Sequence, residues 1–309
     1  MFIESINLSN DKTLVFGANG FLGSAIANSL SVSGHYVTAV IRQDASRNEL
    51  IESPKLAIIR MSPNLWPKLL ADLKPNHVIC AQWSGVQKNL RDDILIQESN
   101  VGSIIELAEV AKSISTNTFI ALGSQAESIE SMSLIMEEPS TSGTSPYGKA
   151  KSKLCSELSS LFEDSHTRFI WARVFSIYGP SDKSDSILME LHKSELEGVV
   201  LNIDNPSTLW SFLYEDDFTD AVKRILASTN VSGVINIANP QLVKIEHIVD
   251  AWLGSSHSSS KRYENDIARE GFFPIVEKLK SIDWTPEISL EQGIQWTREA
   301  YKGCLNSGD

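Results

Sequence analysis

Short apolar runs alternate with longer amphipathic stretches through the first two-thirds of this 309-residue chain. Residues 14–16, 36–41, 56–59, 77–81, 118–122 and 169–174 read as buried strands, and 22–30, 65–73, 94–111 and 147–162 carry the helical period. Strict alternation of β and α elements predicts right-handed crossovers and a sheet covered on both faces. The expected fold class is α/β, a Rossmann-type doubly wound parallel sheet, with ligands bound beyond the carboxyl ends of its strands. Past Tyr178 the pattern loosens. Gly179-Pro180 and the polar run to Asp185 mark a break, followed by shorter elements at 199–203, 210–214, 217–227, 234–237 and 245–253. The Ser-rich stretch 254–260 reads as a loop, and a last helix is expected over 290–301. The predicted organisation is a main domain over 1–178 and a smaller C-terminal α/β lobe over 179–309, with the chain free to cross back to the main domain.

The first strand runs into three glycines, Gly17-Ala-Asn-Gly20-Phe-Leu-Gly23, and then into a helical run. A strand, a glycine turn and a helix start make an anion site, because backbone N–H groups and the positive end of the helix dipole point at one spot. One glycine makes the turn, one admits a phosphate group close to the backbone, and one lets helix and strand pack closely. The alternative is that the same glycines serve only as a tight turn.

Tyr147-Gly-Lys-Ala-Lys151 follows the fifth βα unit, behind Ser145-Pro146, which suits a helix start. Residues four apart share a helix face, so an ammonium can sit beside a phenol and lower its pKa for proton transfer. The other reading is an ordinary solvated helix face. Ser124, at the end of the fifth strand, either binds the same substrate oxygen or caps a turn.

Composition narrows the field. Net charge of −12 excludes general binding to nucleic acid or anionic membranes. Three widely spaced cysteines argue against a disulfide framework, and neither they nor the six histidines have metal-ligand spacing, so no metal is expected. With no basic leader and no apolar run of spanning length, the expectation is a cytoplasmic protein without a membrane partner. The cluster Glu215-Asp216-Asp217 reads as the acidic start of a helix, with Asp217 as its cap or in its first turn.

In order along the chain, these features resemble the extended short-chain dehydrogenase/reductases, the NAD(P)-dependent nucleotide-sugar epimerase/dehydratase/reductase family. Gly17-x-x-Gly20-x-x-Gly23 matches its cofactor fingerprint, Val78-Ile-Cys-Ala81 its fourth strand and Asn100-Val101 its "NV" helix entry. Ser124, Tyr147 and Lys151 match the catalytic trio. Arg173-Val-Phe-Ser-Ile-Tyr-Gly-Pro180 resembles "RxxNxYGP", Trp210 to Asp217 "RDFIHVDD", Val234 to Ile237 "YNIG", and Leu279 to Ile288 the "LGWxP" element. The resemblance implies hydride transfer at a sugar carbon, with Tyr147 as acid/base, Lys151 tuning it and holding the nicotinamide ribose, and Ser124 on the reacting oxygen. It places Gly17, Asn19, Gly20, Phe21, Leu22, Gly23, Arg42, Ala81, Asn100 and Phe175 at the cofactor, with Tyr147 and Lys151. It places Ser124, Gln125, Ser176 and Arg262 at a nucleotide-sugar substrate held by the C-terminal lobe, and it implies a homodimer paired through the helices at 94–111 and 147–162.

Departures from the family pattern sharpen the expectation. Dehydratases carry an Asp-Glu pair where this chain has Gln125 and Ala126, and reductases that also epimerise use a Cys there. Simple 4-keto reduction and 4-epimerisation remain. Ile41 and Arg42 stand where a carboxylate would accept the adenosine ribose, which favours NADP(H) over NAD, with a solvated Arg42 as the alternative. A dissociable NADPH suits a reductase of a 4-keto-6-deoxy nucleotide sugar; a 4-epimerase with retained NAD is the alternative, and a non-catalytic NADP-binding protein the third reading. Ser176 replaces the usual Asn, Trp210 the usual Arg, and Ser128-Ile129 the usual Tyr-Gly, so the substrate is expected to differ from the commonest hexoses.

Overall fold

The computed structural model describes residues 12–45, 49–87, 89–128, 134–141, 143–182, 186–254, 261–264 and 272–306, with the backbone alone for 261–264 and 304–306. Strands β1 (Lys12–Phe16), β2 (Tyr36–Arg42), β3 (Leu56–Met61), β4 (His77–Cys80) and β5 (Thr118–Ser124) alternate with helices α1 (Phe21–Val32), α2 (Trp66–Leu73) and α3 (Ile94–Ser113), except that the described residues between β2 and β3 form no helix. A short strand, β6 (Leu134–Ile135), precedes α4 (Pro146–Phe162), and β7 (Arg168–Val174) runs on to β8 (Ser176–Tyr178). Then come α5 (Ile187–Glu197), β9 (Leu201–Asp204), β10 (Leu209–Trp210), β11 (Phe212–Tyr214), α6 (Glu215–Ala227), β12 (Gly233–Ile237), β13 (Val243–Lys244), α7 (Ile245–Leu253), β14 (Lys261–Glu264), β15 (Phe273–Pro274), α8 (Glu277–Lys280) and α9 (Leu290–Asn306). Helix α5 follows the polar run to Asp185 and carries no element in the sequence reading. Ser186 starts it by accepting the Met189 N–H, and Gly198 ends it in the left-handed region.

The main sheet has seven strands in the order β12-β7-β5-β4-β1-β2-β3. Every pairing in it is parallel. The chain starts in β1, moves outward to β3, then returns through β4 to build the other half. The reversal between β1 and β4 leaves a crevice at their carboxyl ends. Both faces are covered. Ile26 and Leu30 of α1 join Val222 and Ile225 of α6 on one face, and Leu70 of α2, Ile104 and Leu107 of α3 and Leu154 and Leu158 of α4 pack on the other. This double covering explains why the strands read as continuous apolar runs.

The chain crosses back to this sheet after Tyr178. Helix α6, strand β12 and the segment carrying Leu279 and Trp284 belong to its layers. A separate apolar cluster, with Leu191 of α5, Ile248 and Trp252 of α7 and Ile294 and Tyr301 of α9, lies beyond the carboxyl edge and includes Phe212 and Tyr214 of β11. Strand β8 pairs in parallel with β11, so the segment that follows β7 also carries part of the second cluster.

Candidate active site

The glycine turn has the form its sequence implies. Gly17 has φ +76, a region that L side chains avoid, and the Gly17 and Ala18 N–H groups both donate to the Val40 carbonyl (3.1 and 3.3 Å). A Cβ on Gly17 would stand 2.5 Å from the Gln82 backbone, and one on Gly23 would run into the Gly17 carbonyl oxygen. Gly20 differs: its nearest neighbour to a Cβ is 3.5 Å away, so its outer side is open. It is also the N-cap of α1, contributes no capping side chain, and opens a first turn without acidic residues. That cradle fits a pyrophosphate on the helix N-terminus, with Asn19, Phe21 and Leu22 flanking it. Ala81 is fixed by its N–H bond to the Phe16 carbonyl (3.0 Å). The Asn100 side chain is engaged with the Ser84 backbone, accepting from its N–H and donating to its carbonyl (2.9 Å each). Arg42 closes β2 and pairs with Asp44 at 3.6 Å, both side chains well exposed.

Helix α4 carries Tyr147 and Lys151, the expected acid/base pair. Ser145 caps it by accepting the Gly148 N–H (3.0 Å), with Pro146 in the first turn. Tyr147 and Lys151 then fall on one buried face. The Tyr147 hydroxyl is hydrogen-bonded to Ser124, which stands at the end of β5. Burial pushes the phenol pKa up, and the Ser124 bond and the Arg91 charge pull against it. Lys151 Nζ donates to the Leu122 carbonyl at 2.7 Å and lies 3.5 Å above the Trp83 ring. Burial lowers its pKa to about 7, with Glu127 opposing. Trp83 meets the Tyr147 ring edge-on at 5.8 Å.

A cavity of about 470 Å³ opens in front of this group. Ser124 and Gln125 line it from the end of β5, Phe175 and Ser176 from just past β7, Tyr147 from α4, Phe21 and Leu22 from the glycine turn, and Ile187, Leu188, Trp210, Phe212 and Ile245 from the later chain. Trp210 Nε1 donates to Ser176 Oγ at 2.6 Å, and Gln125 Nε2 reaches the same oxygen at 3.4 Å. The two departures from the family pattern are therefore partners in space. The structure brings Ser124, Gln125, Tyr147, Phe175 and Ser176 to one cavity. Arg42, Ala81 and Asn100 are not among its lining residues, and the Arg262 side chain lies outside the described residues, as does Ile129.

Sequence reasoning passed over three features. Arg91 lines the cavity with its guanidinium 5.0 Å from the Tyr147 ring centroid. Trp83 seats Lys151. Glu127, fully buried, pairs with buried Arg173 at 2.6 Å and accepts from Trp171 Nε1 at 2.9 Å. Arg173 also donates to the Met136 and Glu138 carbonyls (2.7 Å each) and to Asn236 (3.1 Å). The signal for this lock was Arg173, a charged residue inside the apolar strand β7, a pattern that needs an internal partner. The acidic start of α6 is as expected, with Asp217 in its first turn, but the Asp217 carboxylate accepts from the Glu287 and Ile288 N–H groups (3.0 and 3.1 Å). Among the described residues no group of three or more His, Cys, Asp or Glu could hold a metal, and no helix is long and apolar enough to cross a membrane.

Comparison with known proteins agrees with this geometry. The family model described as "NAD dependent epimerase/dehydratase family" matches residues 13–238. The chain is 22% identical to Protein CapI of Staphylococcus aureus, over 94% of this chain and 99% of that one. It is 24% identical to GDP-L-fucose synthase of Sinorhizobium fredii, over 95% and 96% of the two chains. Among solved structures, UDP-N-acetylglucosamine 4-epimerase from Methanobrevibacter ruminantium superposes with a TM-score of 0.84 at 19% identity, covering 96% of this chain and all (100%) of that one. The dTDP-glucose 4,6-dehydratase of Bacillus anthracis, in complex with NAD, gives 0.81 at 18%, covering 96% and 98%. At such identities the structural likeness speaks to the fold. The family match spans the glycine turn, the Ser-Tyr-Lys trio and the seven-strand sheet, so the chain belongs to the NAD dependent epimerase/dehydratase family, the NAD(P)-dependent nucleotide-sugar enzymes of the extended short-chain dehydrogenase/reductase type.

Proposed function

We propose that the chain is an NADPH-dependent reductase of a 4-keto-6-deoxy nucleotide sugar. The observation that carries this reading is the state of the carboxylates around the trio. Gln125 and Ala126 follow Ser124 directly, and the next residue, Glu127, is locked by Arg173 and Trp171 beneath the site. No acid in this segment is free to take a proton from a sugar carbon or to expel water. Ser124, Tyr147 and Lys151 suffice for carbonyl reduction and for its reversal. The bound dinucleotide would supply the hydride, held over the glycine turn and, in the NADPH form, by Arg42 at its adenosine end.

The chain's own residues then handle the oxygen. Ser124 donates to the carbonyl and polarises it. Tyr147 gives it a proton, a step suited to a phenol that burial keeps protonated. Lys151, anchored on Leu122, supplies positive charge beside the resulting phenolate. Gln125 and the Ser176–Trp210 pair border the rest of the ring, and the apolar wall of Ile187, Leu188 and Phe212 keeps water from it. The contributions of α5, β10, β11 and α7 to that wall support reading the later chain, 179–309, as the part that selects substrate. Two copies pairing through α3 and α4 would cover Ile94 and Leu95, which α3 exposes.

A 4-epimerase with retained NAD is the competing reading, supported by the epimerases and NAD complexes among the similar structures. One assay separates them. The purified protein is expected to oxidise NADPH when given dTDP-4-keto-6-deoxyglucose and to leave UDP-glucose unchanged. Interconversion of UDP-glucose and UDP-galactose without added cofactor, with no NADPH oxidation, would replace the reductase by the epimerase.

A further inference from the structure

Two cations flank the Tyr147 ring, and the nearer is not the lysine. Lys151 Nζ stands 5.8 Å from the ring centroid, turned onto the Leu122 carbonyl and the Trp83 face. The Arg91 guanidinium carbon stands 5.0 Å from the same centroid. Arg91 is held there: its Nε donates to the Val86 carbonyl at 2.8 Å. The loop that carries it is tied down at both ends, by Asn100 on Ser84 and by Asp93, which caps α3 through the Leu95 and Ile96 N–H groups. Gln97 Nε2 adds bonds to the Gly85 and Leu90 carbonyls (3.4 and 3.3 Å). Among the described residues that line the cavity, Arg91 is the only cation.

We propose that Arg91 is the permanent cation of the acid/base site, a positioning residue that acts through Tyr147 by favouring the phenolate left after the proton has gone to substrate. The inference rests on the reading of Tyr147 as the acid/base. A cation over an aromatic face is attracted to the ring, and more strongly once the ring carries negative charge. A guanidinium keeps its charge throughout the working range, whereas the buried Lys151 loses its proton at about pH 7. Over the alkaline range in which a phenol ionises, Arg91 is therefore the remaining full positive charge beside Tyr147. The other groups acting on the ring are accounted for. The Ser124 hydroxyl, from β5, favours the phenolate; Glu127, below the site, opposes it and is itself tied to Arg173; Trp83 meets the ring edge-on and carries no charge.

The test needs no substrate. Protein labelled with carbon-13 at the tyrosine Cζ gives signals from six tyrosines, and Tyr147→Phe identifies the one of interest. Its ionisation midpoint is followed from neutral pH to the alkaline unfolding limit in wild type, Arg91→Met and Arg91→Lys. At low salt the midpoint is expected to rise by roughly 0.5–1 unit in Arg91→Met and to recover at least half of that in Arg91→Lys. At about 1 M salt the difference should shrink, because Arg91 is exposed. Unchanged positions of the other tyrosine signals report an intact fold. An Arg91→Met midpoint within about 0.2 unit of wild type overturns the proposal, as does a wild-type Tyr147 that never ionises before the chain unfolds. Failure of the NADPH assay would refute the substrate reading and leave this result standing.

Discussion

Replacing Lys151 by methionine should remove both a catalytic charge and a pH-dependent strain on the fold. Lys151 is 3% exposed, and burial drops its pKa from the ordinary 10.5 to about 7. The sign follows from proton counting. Below about pH 7 the lysine is charged in folded and unfolded chains alike, and the whole cost of burying the charge is present. Between about 7 and 10.5 the unfolded chain binds the proton and the folded one does not, so stability rises with pH across that window. A shift of this size caps the cost at about 4–5 kcal/mol near neutral pH, and allowing a unit of error it predicts that wild type gains about 1–3 kcal/mol between about pH 7 and about pH 9 from this group alone. Lys151→Met should lack that gain. Its loss of the bond to the Leu122 carbonyl costs about 1 kcal/mol at every pH and does not alter the slope. Urea unfolding of both proteins at the two pH values checks this, because the other titrating groups cancel in the difference between wild type and variant. Parallel pH dependences would refute the argument. The same variant should lose turnover while retaining dinucleotide binding at the glycine turn.

Three further outcomes follow from particular contacts. Gly23→Ala drives a Cβ into the Gly17 carbonyl oxygen; it should cost about 1–3 kcal/mol in thermal or urea unfolding and weaken dinucleotide binding measured by calorimetry. Arg173→Met strands the buried Glu127 carboxylate, whose pKa burial already raises, and should destabilise the fold by about 3–5 kcal/mol in urea, with the loss reduced at acid pH where Glu127 takes up a proton. Arg42→Ala should weaken NADPH binding about tenfold and leave NADH binding unchanged, read as two dissociation constants; equal effects on both would remove Arg42 from cofactor choice.

Much of the fold was legible because its strands are buried on both faces. Such strands show as bare apolar runs between amphipathic helices, and every strand expected in the first two-thirds of the chain forms. The later chain was harder to read. Helix α5 begins behind a polar run and depends on the Ser186 cap and on burial against α7, so its helical period is visible only once its partner is known. The crossing back of β12 is likewise a matter of pairing with β7, which no local pattern encodes. At the site, Ser124, Gln125, Tyr147 and Ser176 stood out because each falls at a strand end or on one helix face. Arg91 did not, since a charged residue in a polar loop looks like any solvated arginine until the loop is folded over Tyr147.

By itself, then, the sequence determined what depends on local spacing: the glycine turn, the Tyr147–Lys151 face of α4, the parallel α/β architecture and the missing carboxylates after Ser124. Tertiary structure decided what depends on distance between remote segments. It set Lys151 onto Leu122 and Trp83, joined Trp210 to Ser176, locked Glu127 beneath the site with Arg173, and placed Arg91 against the acid/base. The physical reason is that helix and strand periods are fixed within a few residues, whereas charge and hydrogen-bond energies act through space between groups 29 to 68 positions apart, as the Lys151–Leu122 and Lys151–Trp83 pairs show.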